Sequence, residues 1–104
     1  MDLEKITAHA LTHLLKHQSV HVNDLHQSIQ DAHNLRDEEM PMVHDHLQRL
    51  FVGWVGRGWL AGPGGYGPGM AGPFEQSIGP VVQLNNQGRE EALQFLETHG
   101  YPPP

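Results

Sequence analysis

The sequence predicts a mostly helical α+β domain with a three-helix core, a β-hairpin and a C-terminal helix. Three observations lead there. Apolar residues recur at helical spacing in three successive segments. Two short β-prone stretches then flank a segment rich in glycine and proline. Last, Val81-Val82-Gln83-Leu84 reads as a strand that runs directly into an amphipathic helix capped by Asn85.

The first helix is expected over residues 3–18, with Leu3, Ile6, Ala10, Leu11, Leu14 and Leu15 on one stripe. Ser19-Val20-His21-Val22 is β-branched enough for a brief strand. Asn23 offers an N-cap for a second helix over roughly residues 24–33, where Leu25 and Ile29 lie one turn apart. His33 to Arg36 reads as a turn. A third helix opens on Asp37, Glu38 and Glu39, whose charges suit the positive end of a helix dipole. Met40, Val43, Leu47, Leu50, Phe51 and Trp54 form its apolar face. Gly53, Gly56 and Gly58 weaken its far end, so it should stop between residues 52 and 57.

Trp59-Leu60 begins a strand whose expected partner is Val81 to Leu84. Between them, residues 61–80 hold seven Gly and four Pro in twenty positions, a turn-rich composition that builds no core. In the closing helix, Ala92, Leu93 and Leu96 are expected on one face with Phe95 beside them. Residues 1–100 make one domain, and Tyr101-Pro102-Pro103-Pro104 is expected to stop the last helix and fray.

Composition narrows the function classes. Six Lys and Arg stand against twelve Asp and Glu, a formal charge of −6, so nothing global attracts nucleic acid or anionic lipid. Nine histidines, fully protonated, would move that charge to +3, so the electrostatics should change through the ordinary histidine range. No apolar run reaches the roughly 18 residues that a membrane span needs, and Met1-Asp2-Leu3-Glu4-Lys5 does not resemble a signal peptide. With no cysteine there is no disulfide framework, and a cytoplasmic location is the simplest expectation.

The order helix, short strand, helix, helix, strand, loop, strand, helix resembles a winged helix-turn-helix domain, with residues 59–84 as the wing. Leu84-Asn85-Asn86-Gln87-Gly88-Arg89 is similar to the Leu-Thr-x-x-Gly-Arg exit of many such regulators, with Asn85 where Thr usually stands. MarR-like and PadR-like regulators are nearest in pattern. The long additional dimerisation helices of MarR-like proteins have no counterpart. The resemblance implies a transcriptional regulator, homodimeric, that inserts its third helix in the major groove of duplex DNA. Gln48 and Arg49 would then read bases or phosphate, with His44 beside them and Arg36 and Arg57 on phosphates. The charge count opposes this. From His21 to Arg57 there are three Arg, no Lys and six acids, and no Lys or Arg occurs from Gly58 through Gly88.

A second reading is therefore a winged-helix module that docks a protein partner through helix three or through the glycine- and proline-rich loop. Tyr66, Met70 and Phe74 are the apolar contacts that loop would offer. A third reading is a metal- or pH-responsive regulator. His9, His13 and His17 recur every fourth residue and form one slanting row, which suits a divalent ion. A plain solvated histidine flank explains the same row more simply, and no cofactor is required. Catalysis is not expected. The chain has no cysteine nucleophile, no Gly-x-Ser-x-Gly, no phosphate loop and no dinucleotide fingerprint.

Overall fold

The computed structural model describes residues 2–61 and 81–104. Among these residues the chain runs α1 (Leu3–Lys16), β1 (Val20–His21), α2 (Val22–His33), a 3-10 turn (Asp37–Glu39), α3 (Met40–Gly56), β2 (Leu60–Ala61), β3 (Val81–Leu84) and α4 (Asn86–Thr98). The class is α+β and mostly helical, as the periodicity predicts. No helix among the described residues is long and apolar enough to cross a membrane.

The small sheet has the order β1-β3-β2, with both pairings antiparallel. Val20 lies opposite Val82, and Leu60 lies opposite Leu84. Alternation sends Val82 and Leu84 into the core and leaves Gln83 exposed. β3 is thus the central strand, tying the β1–α2 junction to the end of α3.

α1 is the hub, packed against α2, α3, α4 and β3. Its buried set is Ile6, Thr7, Ala8, Ala10, Leu11 and Leu14, wider than one stripe because neighbours lie on several sides. α3 buries Val43, Leu47, Phe51, Trp54 and Val55, while Met40 and Leu50 pack half-buried at the edge. Fully burying one such side chain contributes about 1.5–3 kcal/mol, so these few residues hold the helices together.

Three helices end alike. Asn34, Gly58 and Gly100 adopt the left-handed conformation, at φ of 54°, 79° and 79°. Behind each, a backbone N–H reaches five residues back: Leu35 to Gln30 at 3.0 Å, Trp59 to Trp54 at 2.9 Å and Tyr101 to Leu96 at 2.8 Å. This closure satisfies helix carbonyls and commonly brings an apolar contact with it. At α3 that contact is the edge-to-face pair of Trp54 and Trp59, with centroids 5.1 Å apart.

α4 starts where the sequence indicates. Asn85 accepts the N–H of Gly88 at 2.7 Å, donates its side-chain amide to the Gly58 carbonyl, and donates its own N–H to the Trp59 carbonyl at 3.2 Å. Gly88 is buried there because a Cβ would lie 2.0 Å from the Trp59 oxygen. Arg89 turns inward, and its Nη1 donates to the Leu15 carbonyl at 3.1 Å. It thereby satisfies an open carbonyl in the last turn of α1.

Three local expectations change. The N-cap of α2 is His21, whose ring accepts the Asn23 N–H at 3.1 Å, and the helix begins at Val22. Burying Val22 in the core draws the start of the helix forward from Asn23. Leu93 is 44% exposed, because α4 packs through Gly88, Ala92 and Leu96. Tyr101 to Pro104 lie along a cleft shared with α1 and α2.

Candidate functional site

Two surfaces gather some of the residues that the sequence singles out. The first is the outer face of α3. Met42, Asp45, Arg49 and Val52 recur at steps of three, four and three, which keeps them on one side of the helix. Met42 is 58% and Val52 47% exposed, so this side of the helix presents two large apolar side chains to solvent. Asp45, Gln48, Arg49 and Val52 line a shallow groove of ≈ 390 Å³. Gly53 and Gly56 adjoin it, and a Cβ at either would meet nothing within 4 Å.

The five candidates for nucleic acid are not brought together. Gln48 and Arg49 do share this face. Arg36 sits in the turn before α3, ion-paired with Glu38 at 3.1 Å and Glu39 at 3.5 Å. The Arg36 N–H and guanidinium hold the Glu39 carboxyl below the ordinary carboxylate range. His44 is half-buried and faces α2, its ring 5.4 Å from that of His26 and its Nδ1 3.9 Å from Asp45. Arg57 lies past the end of α3, its guanidinium 5.1 Å from the centre of the Trp59 ring. His46 turns away from the outer face, towards α1. Its Nε2 stands 2.6 Å from the Thr7 hydroxyl, which itself donates to the Leu3 carbonyl at 3.0 Å. The ring therefore donates to Thr7, and burial, with Arg49 nearby, holds its pKa low.

The second surface is a cleft of ≈ 630 Å³ between α1, α2 and the segment Tyr101–Pro104. His9, His13 and His17 line it as a row, with ring centroids 6.4 Å and 4.5 Å apart. His33 of α2 closes on His9 at 5.2 Å, and His9 Nε2 is 3.0 Å from the Ser28 hydroxyl. Burial first, then the neighbouring His33, His13 and Lys16, push the His9 pKa down. His13 is lowered by burial, then by His17 and Lys16, against an opposing pull from Asp24. No group of three or more His, Asp or Glu among the described residues converges as metal ligands do.

The histidine row is legible in the sequence, and the residues that complete it are not. His33, Ser28, Lys5 and Tyr101 join the cleft only through the packing of α2 and of the closing segment on α1. No spacing in the chain links residue 9 to residue 33. Tyr66, Met70 and Phe74, the loop contacts for a protein partner, lie outside the described residues. No protein-family model, curated protein or solved structure matches the chain.

Proposed function

We propose that the protein is a winged helix-turn-helix module whose third helix is a protein-docking face, fitted first of all to a second copy of the same chain. The element order and the β1-β3-β2 sheet support the winged-helix reading. The placement of the six Lys and Arg carries the functional one. Arg36 is held by two glutamates, Arg89 points inward, and Lys5 and Lys16 belong to the α1 cleft. Arg57 rests on Trp59, which leaves Arg49 as the cation on the outer face of α3, one turn from Asp45. Phosphate binding scales with the cations present, so this helix is poorly equipped to grip a duplex.

The same face is self-complementary. Laid antiparallel across a two-fold axis near residue 47, Met42 of one copy meets Val52 of the other, and Asp45 meets Arg49. A two-fold interface requires such reciprocity. The open space beside Gly53 and Gly56 lets the helix backbones approach. Each Asp45–Arg49 ion pair between exposed side chains contributes about 0.2–1 kcal/mol, so the charges select the register and the apolar ends supply the affinity.

Sedimentation of charge-swapped variants tests this. Asp45→Arg puts Arg against Arg in its own dimer, and Arg49→Asp puts Asp against Asp. Each alone should be monomeric at concentrations where the parent associates, and an equimolar mixture should associate again. A mixture no different from its parts refutes the face. Duplex DNA remains the second reading, because Gln48 and Arg49 share an exposed surface. With Arg49 and Arg57 as its phosphate contacts, each protomer should show a salt slope of only about −2. Retention of duplex DNA in a gel shift, lost in Arg49→Ala, would favour that reading.

A further inference from the structure

We propose that the cleft between α1, α2 and Tyr101–Pro104 binds a small organic carboxylate. Its wall is unlike the rest of this acidic chain. Lys5, Lys16 and four histidines line it, and among the described residues no Asp or Glu does. Two of the chain's six Lys and Arg therefore flank one cleft. Ala8 and the three prolines add a flat apolar wall beside these polar groups, which suits an anion with a hydrocarbon body.

Two further observations point inward. His33 Nε2 is shielded from solvent and has no hydrogen-bond partner among the described residues. A buried ring nitrogen left so is costly, and a ligand oxygen accepting a hydrogen bond from it would remove that cost. The histidines also oppose one another. His9 is disfavoured as a cation by His33, His13 and Lys16, and His13 by His17 and Lys16. A carboxylate among them relieves that repulsion and draws protons onto the rings, so binding strengthens as pH falls. Asp24 of α2 acts on His13 in the opposite sense, and Asp2 and Glu4 act on Tyr101 at the far rim. The anion therefore belongs between His9, His33 and Lys16. The two lysines disfavour a divalent cation there.

The test is an NMR titration of the imidazole signals with hexanoate, hexanol and hexylammonium, at about pH 6 and about pH 7.5, on either side of the usual histidine pKa. Hexanoate, ionised at both, should shift His9, His13 and His33 saturably and bind at least about tenfold tighter than hexanol. Its affinity should rise at the lower pH, and hexylammonium should leave the signals in place. Lys16→Gln should weaken hexanoate about fivefold, with the backbone spectrum otherwise retained. Equal binding of hexanoate and hexanol overturns the proposal. So does the absence of a saturable shift, or saturation by zinc alone.

Discussion

Replacing Gly88 by alanine should destabilise the protein although the position is helical, where alanine is ordinarily the better residue. A Cβ there would stand 2.0 Å from the Trp59 oxygen, 3.0 Å from its carbonyl carbon and 3.1 Å from Leu84 Cδ2. The nearest atoms are backbone, so a rotamer change cannot relieve the clash. α4 must move away from the β2–β3 end of the sheet. That motion strains the Asn85 N–H to Trp59 bond and the Asn85 side-chain bond to Gly58, both of which hold the same corner. Overpacking of this kind costs about 1–3 kcal/mol, and a weakened cap adds about 1. Helix propensity returns about 1 kcal/mol, for a net loss of about 2. In a domain of this size that lowers Tm by roughly 10 °C. Gly53→Ala is the control, because a Cβ there meets nothing within 4 Å. It should stabilise dilute protein by about 0.5–1 kcal/mol. Urea unfolding followed by circular dichroism reads both. A Gly88→Ala protein as stable as its parent would refute the argument that the α4 corner is set by this contact.

The other expectations use the same assay. Asn85→Ala removes both the cap on Gly88 and the tie to Gly58 and should cost about 1–2 kcal/mol, with Asn85→Ser losing less because it keeps an acceptor. Arg89→Met leaves the Leu15 carbonyl without its donor and should cost about 1 kcal/mol, and full stability in that variant would show the bond to be idle. His9, His13 and His46 all have pKa values below 6.5 in the folded protein, mainly through burial. The unfolded chain therefore binds more protons near and below that value, so stability is full above it and declines as pH falls through the lowered folded values. The urea midpoint should drop between about pH 7.5 and about pH 5.5, and His46→Gln, which keeps a donor for Thr7, should flatten the drop. A flat profile in the parent would contradict the lowered values.

The histidines mark where one-dimensional reading stops. The row at His9, His13 and His17 is legible because helical spacing puts every fourth residue on one side. Its surroundings are not, since His33 arrives with α2 and Tyr101 with the turn after α4. His44 and His46, two residues apart, show the same limit. One turns to His26 on α2 and the other to Thr7 on α1, because α3 packs against both helices. Among the arginines, Arg89 closes the Leu84-to-Arg89 pattern in the sequence and is a helix-end donor in the fold.

The sequence alone determines the elements, because periodicity, caps and breakers act within a few residues of each other. It places α1 to α4, names Asn85 as a cap and locates most of the buried face of α3. It also fixes the scarcity of cations, which no folding can change. Tertiary structure decides where each of those few charges is spent. Two arginines are consumed by neighbouring acids and by an open carbonyl, and two lysines flank a cleft. The outer face of α3 keeps one arginine, one aspartate and two exposed apolar residues. Charge and hydrogen bonding act through space over a few ångströms, so only the packed chain reveals which groups remain for a partner.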